Sequence, residues 1–223
     1  MMTIKTIIQC RMTSHRFPGK ILTPFLGKPV FAHVVERIKR TQFGSSIILA
    51  TSDDQADDPL VAYAKYLGLE VVRGSCDDVV ERFALTLNQH KCDAFFRVCG
   101  DSPLLLSFLF NRAASIYMNS SYDIVTNVFP RTFPVGMSIE LIRTKTFLET
   151  KKRILKKEDK EHLTKFFYHH HKDFQIHNIE CARSTDSDLK LAVDELKDLE
   201  RLEAWSLSKE EEYEDLFPIL STK

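Results

Sequence analysis

The chain has 223 residues, 43% of them hydrophobic, so it is long enough for one sizeable α/β domain and short for two. Its 31 basic residues balance 31 acidic residues, which excludes a global field that would favour nucleic acid or an anionic membrane surface. The sequence lacks an apolar run of about eighteen residues and the charge order of a secretory signal, so we expect a soluble, cytoplasmic protein.

In the first half of the chain, apolar runs typical of buried strands alternate with apolar residues at helical spacing. The predicted strands are 3–9, 46–51, 70–72 and 94–98, and the predicted helices are 30–38, 60–67 and 78–88. Short connections between strands and helices are typical of a mostly parallel sheet that helices cover on both faces. The pattern therefore predicts an α/β fold.

The second half of the chain is less regular. We predict strands at 124–127 and 138–142, with a loop at 129–136 that faces the substrate. The segment 144–171 has a helical pattern, and the acidic stretch 209–215 predicts a solvated surface helix.

The cysteines show neither paired spacing nor an even count. They are Cys10, Cys76, Cys92, Cys99 and Cys181, and no C-x-x-C pair is present. This pattern argues against a disulfide framework or a zinc ribbon and predicts reduced thiols.

A strongly basic loop follows the first predicted strand. Arg11, Arg16 and Lys20 lie within ten residues that contain no acidic side chain, and Ser14 lies among them. Three cations in one turn repel each other unless an anion lies between them, and a polyphosphate fits that need. Neither G-x-x-x-x-G-K-[ST] nor G-x-G-x-x-G is present, so the side chains would supply what backbone amides supply there. The alternative is a solvated surface loop.

Two aspartates follow apolar runs at predicted strand ends. Asp101 comes after 94–98, and Asp194 comes after the apolar triplet 191–193. Hard oxygen ligands of this kind suit Mg²⁺, which takes one or two carboxylates together with substrate phosphates and water. The alternative is that each aspartate caps a helix, Asp101 the one expected from Pro103 and Asp194 the last one of the core.

Five stretches carry a resemblance to a known family. They are RMTSHRFPGK at 11–20, VRGSCDDV at 72–79, RVCGDSPL at 97–104, EHLT at 161–164, and LAVD at 191–194 with DLE at 198–200. In this order and spacing they resemble cytidylyltransferases that make CMP-activated acidic sugars. The branch they resemble is that of the spore-coat polysaccharide enzymes, which are related to the CMP-sialic acid and CMP-Kdo synthetases.

The resemblance implies a fold and a reaction. The fold would be a three-layer α/β/α, Rossmann-like (GT-A-like) nucleotidyltransferase domain over 1–223, with 129–180 as a substrate-side and dimerisation region. The reaction would transfer CMP from CTP to an acidic sugar with Mg²⁺ and release pyrophosphate. A homodimer is expected on the same ground.

The resemblance also implies roles for residues. The catalytic residues would be Arg16, Lys20 and Asp101. The residues that contact the nucleotide would be Arg11, Ser14, Arg16, Lys20, Arg73 and Asp101. The metal would bind Asp101 and Asp194, and the sugar would contact Glu140 and His162. Arg73 is expected at the cytosine. The alternative for Glu140 is a strand-end glutamate that pairs with a basic neighbour.

The chain departs from the family pattern in three places. Thr13 replaces a glycine of the basic loop, and Val135 and Ser138 replace two acids of a D-G-x-D-x-E motif in which Glu140 remains. Two alternatives therefore stay open. One is nucleotidyl transfer with another nucleotide or with a sugar or polyol phosphate, and the other is a non-catalytic nucleotide-binding relative.

Overall fold

The computed structural model describes residues 2–182, 189–209 and 216–219. The strands are β1 (Ile4–Gln9), β2 (Pro24–Phe25), β3 (Lys28–Pro29), β4 (Ile47–Ser52), β5 (Glu70–Gly74), β6 (Ala94–Cys99), β7 (Ile124–Thr126), β8 (Glu140–Arg143) and β9 (Ile176–Asn178). The α-helices are α1 (Val30–Lys39), α2 (Asp58–Tyr66), α3 (Val79–Gln89), α4 (Ser107–Met118), α5 (Thr144–Thr150), α6 (Lys157–Glu161), α7 (Lys165–His169) and α8 (Leu196–Lys209).

Seven of these strands form the central sheet, in the order β5-β4-β1-β6-β8-β7-β9. The pairs β5-β4, β4-β1, β1-β6 and β7-β9 are parallel, whereas β8 runs antiparallel to both of its neighbours. β2 and β3 pair separately as a short antiparallel ladder. The mostly parallel α/β sheet predicted from the sequence is thereby confirmed.

Helices cover both faces of the sheet, because successive side chains of a strand point to opposite faces. Ile8 of β1 belongs to a core formed with α1, α2, α4 and α8. Its neighbour Ile7 belongs to a second core formed with α3, α5 and α7. Both side chains are fully buried, so β1 lies between two cores, one on each face of the sheet. The result is the expected three-layer arrangement.

The segment 144–171 differs from the continuous helical pattern expected. It divides into α5, α6 and α7, with short 3₁₀ turns after α5 and after α7. Ile154 and Leu163 are buried, but between them the chain carries mostly charged side chains, and Leu155 is 79% exposed. Without an apolar stripe a long helix has no face to bury, so the two buried residues anchor short turns instead.

Smaller differences concern element ends. α4 begins at Ser107 rather than near Pro103, and β8 begins at Glu140 rather than at 138. Of the predicted acidic helix 209–215, only Lys209 lies in the described part of the chain, as the last residue of α8.

The described residues contain neither a disulfide nor a membrane-spanning helix. All five cysteines lie in the described residues, and no two of them form a disulfide. Among the helices of the described residues, none has the length and apolar character needed to span a membrane.

Candidate functional site

The loop after β1 and the turn after β6 meet at the carboxyl edge of the sheet. From β1 the chain builds β4 and β5 on one side, and it then returns to place β6 on the other side of β1. In open α/β sheets such a reversal opens a crevice at which ligands bind. Lys20 belongs to the first loop and Asp101 to the second turn, so the topology places both residues at the crevice.

An ion cluster occupies this crevice. The Nζ atom of Lys20 donates to Asp101 Oδ2 at 2.7 Å and to Asp194 Oδ1 at 3.2 Å. The same ammonium donates to the backbone oxygen of Val193 at 2.7 Å, and its side chain is only 10% exposed. Arg16 reaches Asp194 Oδ1 from the solvent side at 3.0 Å. Four residues expected at the site are therefore brought together.

The cluster shifts the pKa values of its members. Burial alone would lower the pKa of Lys20, but the charges and hydrogen bonds of Asp101 and Asp194 outweigh it, and the pKa is raised. Burial would raise the pKa of Asp194, but Lys190, whose Nζ lies 3.0 Å away, and Lys20 lower it. Both groups are therefore held in their charged forms at neutral pH.

Backbone contacts hold the segment 191–194 against the sheet. The Val193 amide donates to the Asp101 oxygen at 2.9 Å, and the Leu191 amide donates to the Val135 oxygen at 2.5 Å. Gly136 allows this approach: its φ is +105°, and a Cβ there would lie 2.3 Å from the carbonyl carbon of Leu191. A side chain at this glycine would push the Asp194 segment away from Asp101.

The capping alternatives do not describe these aspartates. α4 begins six residues after Asp101, whose carboxylate accepts from Lys20 instead. At α8 the cap is Asp198, whose Oδ2 accepts from the amides of Asp194 at 3.0 Å and Glu195 at 3.1 Å. Asp194 is thus left to interact with cations. Sequence analysis missed this role of Asp198, although an acidic residue in the first turn of a helix is its signal.

The remaining residues of the basic loop line a cavity of about 260 Å³ beside the cluster. Arg11, Ser14, Arg16 and Lys20 all contribute to its wall. Arg11 also donates to the Cys76 sulfur at 2.9 Å and lies 3.7 Å from the Glu161 carboxylate. The cavity wall therefore carries three cations together with the carboxylate of Asp101.

Asp57 anchors the basic loop, and sequence analysis did not single it out. Its side chain is fully buried and accepts from the Met12 amide at 2.6 Å. It also accepts from the hydroxyls of Thr51 and Ser52, each at 2.6 Å. Burial would raise its pKa, but these hydrogen bonds outweigh it and the pKa is lowered. A charged, fully bonded carboxylate thus fixes the start of the loop on β4.

Arg73 contacts the loop after β4 rather than the ion cluster. Its guanidinium donates to the Ser52 oxygen at 3.0 Å, to the Asp54 oxygen at 2.7 Å and to the Asp58 carboxylate at 2.6 Å. These bonds join β5 to the start of α2. Its expected contact with a base stays a prediction.

Glu140 lies in a second buried cluster, where β8 begins beside β6. It is 1% exposed and accepts from Arg97 at 2.9 Å and from the Tyr168 hydroxyl. Arg97 donates in turn to Gln9, which lines the cavity. The pairing with a basic neighbour weighed for Glu140 is therefore present.

Arg131 adds a second cation to this cluster. It donates to the hydroxyl of Ser138 at 3.1 Å, and burial lowers its pKa while the charge of Glu140 raises it. His162 is exposed at the end of α6, so the structure does not bring it to the ion cluster.

The residues of the ion cluster fit a divalent metal. Asp101 and Asp194 converge on one ammonium, and their side chains are 25% and 22% exposed, so a hydrated ion can reach both. Among the described residues no group of three or more His, Cys, Asp or Glu is placed to hold a metal. Two carboxylates are the partial set typical of Mg²⁺, which completes its shell with water and phosphate oxygens.

Comparisons with known proteins agree with this geometry. A protein-family model described as cytidylyltransferase matches residues 6–218. The spore coat polysaccharide biosynthesis protein SpsF of Bacillus subtilis is 27% identical over 206 residues, which cover 89% of this chain and 84% of SpsF.

Two solved structures are similar to this one. A cytidylyltransferase from Leptospira borgpetersenii superposes with a TM-score of 0.90 at 29% identity, covering 97% of this chain and 92% of that chain. A CMP:2-keto-3-deoxy-manno-octonic acid synthetase in complex with CTP has a TM-score of 0.71 at 17% identity, covering 93% and 99%, and shares the fold. Since the family model spans nearly the whole chain, the protein belongs to the cytidylyltransferase family.

Proposed function

We propose that this enzyme transfers CMP from CTP to an acidic sugar and releases pyrophosphate, for the synthesis of a surface polysaccharide or glycoconjugate. The observation that carries the proposal is the convergence of Lys20, Asp101 and Asp194 beside a cavity lined by arginines. Nucleotidyl transfer needs such a pairing of metal-binding carboxylates and phosphate-binding cations. CTP is supported by membership of the family and by the CTP bound to the synthetase that shares the fold.

Asp101 and Asp194 would hold Mg²⁺. When bound, the ion neutralises charge on the phosphates and lowers the pKa of a coordinated hydroxyl. The two carboxylates would hold the ion at a defined place beside the basic loop, since both are bonded to Lys20 and the backbone of Val193 is bonded to that of Asp101.

The basic loop would hold the triphosphate and steady the departing pyrophosphate. Arg16 is exposed enough to move with a ligand, whereas Lys20 is buried and bonded to Asp101 and Asp194 in the ligand-free structure. Arg11 and Ser14 complete the wall and offer further donors. Charge that develops on the leaving oxygen during transfer would meet these cations, which favours the transition state.

Arg73 would contribute to recognition of cytosine, either by direct contact or by fixing the loop after β4. Its guanidinium fixes the segment 52–58, which also supplies Asp57, the anchor of the basic loop. A change in the position of segment 52–58 would therefore change the position of the basic loop and with it the nucleotide preference.

Glu140 and the cations around it would recognise the acceptor. Arg97, Arg131 and Glu140 leave a net positive charge beside the cavity, in a place where family members carry two more acids. A half-buried arginine beside a site is a fitting partner for a carboxylate. His162 directly follows Glu161, which lies 3.7 Å from Arg11 of the cavity wall, and would contact the sugar from that side.

The test is pyrophosphate release from CTP, with ATP, GTP and UTP as controls, over a panel of sialic, Kdo, legionaminic and pseudaminic acids. Release that needs CTP, one acidic sugar and Mg²⁺ is the expected result. Pyrophosphate release that needs a sugar phosphate or polyol phosphate instead would mean that the cations around Glu140 bind the phosphate of the acceptor. A rise in melting temperature with CTP but no turnover in any mixture would point to a non-catalytic relative.

The single domain over 1–223, the role of 129–180 in acceptor binding and dimerisation, the homodimer and the cytoplasmic location stay predictions. The homodimer is checked by sedimentation, which is expected to give roughly twice the 25.8 kDa mass of one chain.

A further inference from the structure

We propose that Lys20 is a resident cation: in the nucleotide-free enzyme its ammonium occupies the position of the divalent metal, and it moves to the phosphates when metal and CTP bind together. The inference rests on the proposed function, because it takes Asp101 and Asp194 as the metal ligands. It adds an order of events that neither the carboxylates nor the family membership implies.

A shell of three oxygens surrounds the Lys20 ammonium. Lys20 Nζ contacts carboxylate oxygens of Asp101 and Asp194 and the backbone oxygen of Val193, at 2.7, 3.2 and 2.7 Å. An ammonium has three hydrogens to donate, and all three find an oxygen here. Hard oxygens from three directions are also what a Mg²⁺ ion takes from a protein. The ammonium therefore uses the very atoms that the metal requires.

Without a cation between them, the carboxylates of Asp101 and Asp194 would place two negative charges side by side. Two carboxylates that both lie within hydrogen-bond distance of one atom repel each other, and partial burial strengthens the repulsion. Lys190 and Arg16 each lie 3.0 Å from the Asp194 carboxylate and neutralise part of its charge. Neither of these two ion pairs includes Asp101. For Asp101, the ion pair described is the one with Lys20. A free protein thus needs a cation at this point, and Lys20 supplies it.

The Lys20 ammonium can move from the carboxylates into the neighbouring cavity. Lysine carries its charge at the end of a flexible four-carbon stem, so the charge can move while the backbone stays. Lys20 lines the cavity in which the other cations of the loop lie. A triphosphate in that cavity offers the ammonium new oxygens at the moment that it leaves the carboxylates. Metal alone must displace Lys20 without offering it a partner, so metal alone binds weakly.

The experiment is equilibrium dialysis with Mn²⁺ as the probe, in the absence of nucleotide and in the presence of the α,β-methylene analogue of CTP. Wild type is compared with Lys20→Met and with Lys28→Met, the matched control. Lys28 forms an ion pair with Glu36 at 2.6 Å on the surface, so its removal changes net charge equally. Without nucleotide, Lys20→Met is expected to bind Mn²⁺ at least about tenfold more tightly than wild type or Lys28→Met.

A double variant locates the gained binding. In Lys20→Met/Asp101→Asn the extra Mn²⁺ binding is expected to disappear, because one of the two carboxylates is gone. Equal affinities of wild type and Lys20→Met for Mn²⁺ alone would overturn the proposal, as would gained binding that survives in the double variant.

Failure of the proposed function has a different signature. If wild type with the CTP analogue retains no more Mn²⁺ than Asp101→Asn does, the metal site is wrong, and the proposal falls with it. If Lys20→Met does not fold, Lys20→Gln repeats the comparison with a side chain that still donates. If Mn²⁺ restores the folding of either variant, the exchange of cations is supported. If both variants stay unfolded with and without Mn²⁺, Lys20 has a purely structural role and the proposal is overturned.

Discussion

Lys20 joins three segments that are far apart in the chain, because one ammonium touches the loop after β6 and the 191–194 segment from its own loop. The sequence predicted its charge and its place after a strand, since both can be read from the pattern. Its partners Asp101 and Asp194 could be predicted in the same way. The partner choices of Asp57 and Arg131 could not, because they depend on which distant segments the fold brings together.

Replacement of Asp101 by asparagine tests the metal-binding carboxylate. The change removes a negative charge but leaves Lys20 bonded to Asp194 and Val193, so the fold is expected to remain. We expect kcat to fall at least about 100-fold, as for loss of a group that stabilises transition-state charge. Pyrophosphate release measures it, with the exposed Asp53→Asn as the matched control; full activity in Asp101→Asn would remove this residue from the mechanism.

Replacement of Arg131 by methionine tests the acceptor side. The change keeps much of the apolar stem and removes the charge near Ser138 and Glu140. We expect the KM for the acidic sugar to rise about tenfold or more while the KM for CTP stays unchanged. Steady-state kinetics with each substrate varied separately measures this. Arg153→Met, an exposed pair with Asp173, is the control, and an equal rise in both KM values would contradict the assignment.

At the scale of elements, the site depends on loops that the strands hold in place. The strands β1, β4, β5 and β6 were predicted within one or two residues, because apolar residues cluster in each of them. The short turns of 144–171 were not, since their ends are set by the contacts of Ile154 and Leu163 with the core rather than by local pattern. The brief ladder of β2 and β3 and the strand β9 were missed for the same reason.

Gly136 tests the contact between the loop before β8 and the 191–194 segment. An alanine there meets two penalties, a positive φ and a Cβ that collides with Leu191. At Gly68, which has φ +78° and nothing within 4 Å of the added atom, only the first penalty applies. Gly68→Ala is expected to cost about 1–2 kcal/mol of unfolding free energy. Gly136→Ala is expected to cost more and to reduce turnover as well; equal costs in urea titrations, with turnover unchanged, would refute the contact.

Asp57 gives a pH dependence whose sign follows from its lowered pKa. Its folded-state pKa lies below the ordinary value of 3.8, so its stabilisation is present above that pH and is lost as pH falls through the folded-state pKa. At neutral pH we expect Asp57→Asn to unfold more easily by about 2–4 kcal/mol, because an amide cannot accept all four hydrogen bonds.

Urea titrations of wild type and Asp57→Asn at pH 7 and at steps below pH 4 measure the difference. The difference between the two proteins is expected to shrink as the solution becomes more acidic. A difference that stays constant through this range would show that the carboxylate charge of Asp57 does not stabilise the fold.

For the whole molecule, the sheet separates two tasks. The parallel strands β5, β4, β1 and β6 direct their carboxyl ends towards the cation-lined cavity, whereas antiparallel β8 begins at the same edge with Glu140. Nucleotide and acceptor would therefore approach one crevice from opposite sides. The sequence could predict the first side from charged residues that follow strands. The second side could be predicted only in part, because the chain departs there from the motif it resembles.

The central claim is that a cytidylyl group passes to an acidic sugar, and mass spectrometry of the products tests it most directly. The enzyme is incubated with CTP, Mg²⁺ and each acidic sugar, and the mixture is searched for a sugar that has gained one CMP. The predicted result is that product in equal amount to pyrophosphate for at least one sugar. Pyrophosphate accompanied by free CMP with every sugar, or CDP accompanied by phosphate, would contradict the claim.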